Sequence, residues 1–284
     1  MAVADLLVVI FDIILLRINE YYFPNSFLFF TSVCSFHYVL IRAVTDISVW
    51  LTVAFTFDRF VAICFQTLKI RYCTETTAAL CIGAICMLFL MKNVPWYFIF
   101  EPYTTIGNVS WGCQQKLEYY TLPAWVAFSW IDRSFTPLLP TFLILLLNAL
   151  TVGHILMASR IRRRLRGSKN ETNNNDQEMQ NRRKSVILLF AISGNFILLW
   201  MTYVIFFLLI QFANHKYLTS FNSPVAIADY TSFMLLLLSC CTNTCIYAVT
   251  QSKFREDLKN LITFPLKRTC KLYKQIKHSW SSHH

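Results

Sequence analysis

Six stretches of this chain are so continuously apolar that water cannot be the solvent for most of it. They cover about 1–17, 27–64, 77–100, 123–159, 185–212 and 223–250. Runs of this kind match the length an α-helix needs to cross roughly 30 Å of hydrocarbon. In hydrocarbon every backbone N–H and C=O must be satisfied inside the segment, so the blocks are read as helices. The strict alternation of a lipid-facing β-barrel is absent. Charged residues make up 14% of the chain, against about 25% in soluble domains. The expected fold is an all-α membrane protein, a helical bundle within residues 1–264. The first block starts at Met1 without the positive leader or small-residue cleavage site of a signal peptide. No internal repeat and no transporter-like inverted symmetry is visible.

Basic residues orient the bundle, because positive loops stay on the cytoplasmic side. Lys69 and Arg71 follow the second block, Arg160–Arg166 and Arg182–Lys184 flank the loop after the fourth, and Lys253–Lys277 follow the sixth. The opposite loops carry only Arg17, Lys92, Lys116 and Lys216. The net charge of +11 is thus a topological signal rather than a nucleic-acid footprint, and no nucleic-acid partner is expected. The Asn-rich stretch inside 160–184 is expected to be a disordered cytoplasmic connector. Residues 251–264 alternate charge with Phe254, Leu258, Leu261 and Ile262, the pattern of an amphipathic helix lying on the membrane. Residues 265–284 form a tail in which Cys270 is a palmitoylation candidate.

Of ten cysteines, most lie in spans or on the cytoplasmic side, where disulfides are rare. Cys34 and Cys113 differ, since both fall on the oxidising side, and a Cys34–Cys113 disulfide is expected. Asn108-Val109-Ser110 is a glycosylation sequon on that same side, either used or an idle match. No phosphate loop or nucleophile elbow occurs, and His37, His154, His215, His283 and His284 lack metal-ligand spacing. An enzyme is not expected.

Asp58-Arg59-Phe60 closes the second block at the cytoplasmic boundary, where a charge must pair or face water. Taken alone it could be an arginine snorkelling to headgroups. Its distance from Cys34 resembles that of the Asp-Arg-aromatic switch in the third helix of rhodopsin-like G-protein-coupled receptors. Asp5 in Met1–Leu6 resembles the aspartate of their second helix, and Phe196–Thr202 resembles their Phe-x-x-Cys-Trp-x-Pro switch. Asn243-Thr244-Cys245-Ile246-Tyr247 resembles their Asn-Pro-x-x-Tyr, and Lys253–Glu256 the start of their eighth helix. The order and membrane depth of these motifs cover nearly the whole chain. They imply a rhodopsin-like bundle with six of the usual seven helices, the first being absent. Truncation of a longer chain, as a fragment or short isoform, is the favoured account of that absence; a chain working with six spans is the other.

The departures are specific. Thr202 and Thr244 replace prolines, Leu199 the switch cysteine, Phe60 a tyrosine, and Asn148 stands where many relatives have tyrosine. The closing motifs are similar to an orphan subgroup of peptide-receptor-like proteins, some of which respond to aromatic amino acids and whose invertebrate relatives bind amidated peptides. The resemblance implies a receptor at the plasma membrane that binds an extracellular amino-acid-like or peptide ligand and activates a heterotrimeric G protein. It implies switch roles for Asp58, Arg59, Phe60, Asn148, Trp200, Asn243 and Tyr247. It also implies a bound sodium ion among Asp5, Ser48, Ser239 and Asn243, and otherwise no cofactor. A hydrogen-bonded Asp5 without sodium is the alternative.

Arg42 and Asp46 stand four apart and are expected to form an ion pair. With Asp132, Arg133, Asp229, Trp130, Trp200, Tyr203, Phe207, Tyr230 and Phe233 they make the ligand-cavity candidates, with plain bundle packing as the alternative for the aromatics. The basic residues at 160–166 and 182–184 suit a G protein or anionic lipid. No acid near Arg182 completes a second lock on Arg59, which implies raised basal signalling. A six-span channel or transporter is the competing class; its re-entrant glycine-rich filter is missing, since Gly83, Gly107, Gly112, Gly153, Gly167 and Gly194 occur singly.

Overall fold

The computed structural model describes residues 1–165, 175–212, 224–250, 255–256, 259–260 and 263. They fall in two compact units, Met1–Asn243 and Thr244–His284. The N-terminal block forms α1, Ala2–Val8, widens into a π-helical stretch over Val9–Ile18, and closes as α2, Asn19–Tyr22. Ser26 accepts from the Leu28 amide to start a 3-10 turn over Phe27–Phe29. The long helix α3, Thr31–Cys64, follows, then the short α4, Gln66–Tyr72, and α5, Glu75–Asn93, which the Thr74 side chain caps. Pro95 carries no amide hydrogen to extend α5, and the chain tightens into a 3-10 helix over Val94–Ile99.

Four short strands come next: β1, Phe100–Glu101; β2, Thr104–Ile106; β3, Val109–Trp111; and β4, Gln114–Gln115. β1 pairs antiparallel with β4, and β2 with β3. After α6, Glu118–Thr121, comes α7, Pro123–Arg133, which passes through a π turn at Ser134–Leu138, containing Pro137, into α8, Leu139–Leu165. Two long helices follow, α9, Asn175–Phe212, and α10, Pro224–Thr250.

Among the described residues, five helices are long and apolar enough to cross a membrane: Thr31–Cys64, Glu75–Ile99, Pro123–Ile161, Arg183–Leu209 and Ala226–Ile246. The first expected span differs from them. Its helical run continues to Tyr22, past residue 17, and the π stretch divides it. It still belongs to the bundle, because Ala4, Asp5, Val8 and Asp12 are buried.

α3 is the axis, packing against α1, α5, α8 and α9. Its buried face mixes Val44, Ile47, Val49, Leu51 and Val53 with Asp46, Ser48, Thr52 and Thr56. Thr52 and Thr56 donate to the carbonyls one turn earlier, at 3.1 and 2.8 Å, so their hydroxyls are satisfied without leaving the helix. Around the inner half of α3 the core gathers Val8, Ile144, Phe196, Trp200, Leu236, Leu237 and Cys240. A second core, Val39, Trp96, Ile99, Phe100 and Tyr119, lies toward the loop at the outer end. Outward residues of α5 such as Leu80, Met87, Leu88 and Met91 are exposed, as a lipid-facing surface requires.

The connector anticipated as disordered over 160–184 is helical on both sides, since α8 reaches Leu165 and α9 starts at Asn175. The arginines after 160 continue the fourth block as a basic helix, and the Gln, Glu, Met and Lys after Asn175 are good helix formers that let α9 start inside the polar stretch. Residues 166–174 lie outside the described residues. Over the block at 77–100 the α-helix gives way to the 3-10 turn after Asn93, just before Pro95, within the apolar helical run Glu75–Ile99, and the block at 123–159 lies within the run Pro123–Ile161. Of the amphipathic segment expected at 251–264, only Arg255, Glu256, Lys259, Asn260 and Thr263 are described, and all are helical. The remainder, the tail at 265–284 and Cys270 lie outside the described residues. Within this second unit Arg255 Nη1 donates to the Ala248 and Val249 carbonyls at 3.1 and 2.9 Å, a cation at a helix C-terminus.

The outer loop is held down at one corner. Gly107 and Asn108, with φ of 54° and 66°, make the two-residue turn between β2 and β3, a geometry that favours glycine and asparagine. Asn108 of the sequon therefore stands exposed at a hairpin tip. Gly112, at φ 71°, donates its amide to the Phe29 carbonyl at 2.7 Å and accepts from Thr31 Oγ1 at 2.7 Å. Cys113, the next residue, is disulfide-bonded to Cys34 on α3, as expected from their shared compartment. A Cβ on residue 112 would sit 2.9 Å from the Tyr103 Cβ. Gly112→Ala is therefore expected to destabilise the purified protein by about 1–2 kcal/mol through left-handed strain alone, more with the clash. A thermal melt unchanged from that of the native sequence would count against this.

Candidate functional site

The outer half of α3 carries Arg42 and Asp46, which sequence spacing paired with each other. The structure separates them. A helical side chain leans toward the N-terminal end of its helix, so Arg42 reaches outward, away from Asp46 one turn deeper. Asp46 is satisfied by other helices: its Oδ2 accepts from Lys92 Nζ at 2.8 Å and Asn93 Nδ2 at 2.7 Å, and its Oδ1 from Thr136 Oγ1 at 2.5 Å. Lys92 also reaches Asp132 Oδ1 at 2.5 Å. Two carboxylates, both nearly inaccessible, thus share one ammonium group. Arg42 is left at 4.0 Å from Asp132 Oδ2, with its guanidinium 4.3 Å above the Trp96 ring and 40% of its side chain exposed. The four charges balance, but unequally: Lys92 bridges both buried carboxylates, whereas Arg42 makes one ion pair, at 4.0 Å, and no described hydrogen bond.

Further groups surround this network. Trp130 meets Phe207 edge-on at 6.1 Å, and Arg133 lies 5.2 Å from the Phe207 ring. Asp229 lies within electrostatic range of Arg133 and Arg17. Arg17 pairs with buried Asp12 at 3.4 Å and covers the Phe233 ring at 4.1 Å. His37 Nε2 is 2.8 Å from the Phe11 carbonyl in the π-helical stretch. Tyr230 is exposed on α10. Trp200 sits deeper and is buried, stacked on Phe196 at 5.1 Å with Tyr203 edge-on above it at 6.3 Å.

Below Trp200 the polar residues converge. Asp5 accepts from the Ser48 hydroxyl, and Asn243 Nδ2 approaches its other oxygen at 3.4 Å. Ser48, Thr45, Thr52, Ser239 and Asn243 line a narrow cavity there with Val8, Val49, Phe196, Trp200 and Cys240. It has room for about one water-sized sphere. The oxygens of Asp5, Ser48, Thr45, Thr52 and Ser239 are the hard donors that a small cation prefers, so the residues fit sodium in kind. Two hydrogen-bonded links join helices nearby. Ser193 of α9 donates to Asn148 Oδ1 of α8 at 3.3 Å. Asn195 of α9 exchanges hydrogen bonds with Thr242 of α10 at 2.9 and 3.1 Å, and its Nδ2 reaches Asn243 Oδ1 at 3.3 Å.

At the inner end of α3, Arg59 donates through Nε and Nη2 to Asp58 Oδ2, at 3.0 and 2.5 Å. Phe60 meets Phe65 edge-on at 5.6 Å, and Phe65 tilts against His154 of α8 at 6.2 Å. Cys73 stands close enough to hydrogen-bond Asp58; desolvation first, then that bond and the carboxylate charge, push its thiol above the ordinary range. The side chains of Tyr247 and Arg182 lie outside the described residues.

The family described as 7 transmembrane receptor (rhodopsin family) matches residues 1–247. The chain belongs to that family. It is a G-protein-coupled receptor, a multi-pass membrane protein and not an enzyme. No curated protein matches it.

Several receptor residues were not singled out from sequence. Lys92 was counted as an outer-loop charge, yet it ends α5 pointing inward, and nothing in its neighbourhood of Met91 and Asn93 signals that. Asn93, Trp96, Thr136, Asn195 and Thr242 likewise gain meaning only from helix packing. Asp12 could have been found, because an acid inside an apolar block is costly and calls for a partner. Lys92→Met would leave Asp46 and Asp132 sharing the interior without their common cation. The expected loss in the purified receptor is about 3–5 kcal/mol, partly recovered in Lys92→Met/Asp132→Asn. Equal melting of the single and double variants would show that the ammonium does not bind both acids.

Proposed function

We propose that this receptor takes a small amino-acid-like or peptide ligand from the extracellular side, between α3, α5, α7, α9 and α10, and responds at the plasma membrane. The support is the unequal sharing of charge: Lys92 absorbs both buried carboxylates, while Arg42 presents a half-exposed, underused guanidinium. A carboxylate or C-terminal group fits such a fork bidentately. Asp229 and the Asp12–Arg17 pair offer the opposite charge for an ammonium group. Trp96, Trp130, Tyr203, Phe207 and Phe233 supply aromatic surface around these charges, in keeping with the likeness to the subgroup that answers aromatic amino acids.

Signalling then runs inward. Ligand contact near Tyr203 bears on Trp200 and Phe196, and the cavity beside Asp5 binds sodium when the helices stand in the ligand-free arrangement. At the inner face Arg59, held by Asp58 at rest, turns to a heterotrimeric G protein when the helices part. With Asp58 as its described acidic partner, Arg59 is lightly restrained, and basal signalling is raised.

Cells expressing the receptor with a G-protein biosensor, exposed to L-tryptophan, L-phenylalanine and C-terminally amidated peptides, test the ligand class. Arg42→Ala is expected to abolish the response while surface amount persists; retained potency would overturn the assignment. Raising sodium chloride at constant ionic strength is expected to weaken agonist binding in the native sequence and not in Asp5→Ala. Agonist affinity indifferent to sodium in both would remove the ion from the scheme.

A further inference from the structure

Two described hydrogen-bonded ties join α9 to α10: Ser232 Oγ donates to the Thr202 carbonyl at 3.5 Å, and Asn195, which has no role in the signalling route above, bonds Thr242 and Asn243. Helix α9 passes Thr202 without a break, and Thr202 returns its hydroxyl to the Leu199 carbonyl at 3.0 Å. Without a proline the helix has no built-in hinge there. Asn195, two turns inward, is the polar side chain on α9 with reciprocal contacts to α10: it donates to and accepts from Thr242, and donates to Asn243. Asn243 in turn presents its Nδ2 to Asp5, and Asp5 accepts from Ser48. The result is an unbroken hydrogen-bonded chain, Thr242–Asn195–Asn243–Asp5–Ser48, across α10, α9, α1 and α3.

We infer that Asn195 is a positioning residue of this receptor: its amide latches α9 to α10 and aims the Asn243 side chain at Asp5, holding the arrangement in which Arg59 rests on Asp58. The Asn195 amide donates to the Thr242 hydroxyl at 2.9 Å, and the single proton of that hydroxyl is shared between Asn195 Oδ1 at 3.1 Å and the Leu238 and Ser239 carbonyls of its own helix at 2.9 and 3.1 Å. Asn243 is an amide too, and its orientation is undetermined until one end is engaged. Asn195 Nδ2 takes Asn243 Oδ1, which leaves Nδ2 of Asn243 for the carboxylate. In lipid the freed groups would find no water, so parting α9 from α10 breaks the latch as a unit. Asn195 touches neither the ligand residues nor the inner face. This rests on the receptor reading above, because its consequence is a change in signalling.

Three measurements decide it. Thermal melting of the purified receptor, native and carrying Asn195→Leu, Thr242→Val or both, reads the latch itself. The two effects are expected to be strongly non-additive, and simple additivity overturns the latch. Basal G-protein activation per surface receptor is expected to rise about three- to tenfold in Asn195→Leu and in Thr242→Val. A rise is not what mere unfolding produces; an unchanged or lowered basal signal overturns the positioning role. Trifluoromethyl-phenylalanine placed at Phe190 on α9 reports helix populations by fluorine resonance without any G protein. Asn195→Leu is expected to transfer intensity to a second resonance, and an unaltered spectrum overturns the inference. A receptor that activates no G protein under any condition fails the proposed function, while melting and fluorine spectra still judge the latch.

Discussion

The charged network at the outer end of the bundle depends on one carboxylate, Asp46, placed on the buried face of α3. A charge withdrawn from water must be matched by partners that are themselves held in place. Asp46 draws Lys92 and Asn93 from the last turn of α5 and Thr136 from the π turn after α7. Because Lys92 also reaches Asp132, the α7 carboxylate is fixed in the same act. Trp50 on α3 donates to the Phe135 carbonyl of the π turn at 3.1 Å, securing the irregular backbone that brings Thr136 within reach. The π turn, the end of α5 and the centre of α3 are thus one mutually dependent unit. Arg42 is what remains over once its demands are met.

In the inner half the buried carboxylate is met by neutral hydrogen-bond donors from its neighbouring helices. Asp5 is met by a hydroxyl and an amide, and the amide is met by another amide. A chain of neutral groups transmits orientation rather than neutralising charge, and each member is defined by the next. Such a network is more easily rearranged than the Lys92 ion pairs, which suits a region lying between Trp200 and the inner face.

The fold was legible because lipid leaves few choices: apolar runs and their basic flanks located the helices, although the start of α9 at Asn175 lay hidden in a polar stretch. Cys34 with Cys113 was legible from compartment alone. Asp5, Ser48 and Asn243 were found through motif positions, and the structure joins them. The Arg42–Asp46 pair was misread because spacing along one helix says which side chains could meet, not which partners on other helices compete for them. Lys92 was beyond reach for the same reason: its sequence surroundings are those of any helix end. Asn195 differs from its neighbours Phe196 and Ile197 by being polar among apolar residues, a signal that was there to be weighed.

An unbroken α9 changes what kind of machine this can be. At 38 residues and 1.5 Å per residue the helix is a rod of about 57 Å, with Asn195 close to its midpoint. A hinged helix can swing one half while the other stays. Fastened at Asn195 as inferred above, a helix that stayed straight would turn as a seesaw, an inward shift of its outer end appearing as an outward shift at its inner end, whereas bending at Ser193-Gly194 beside the fastening would let its halves move separately. In the straight case mechanical advantage would be set by where the fulcrum lies along the rod, not by how easily the backbone bends.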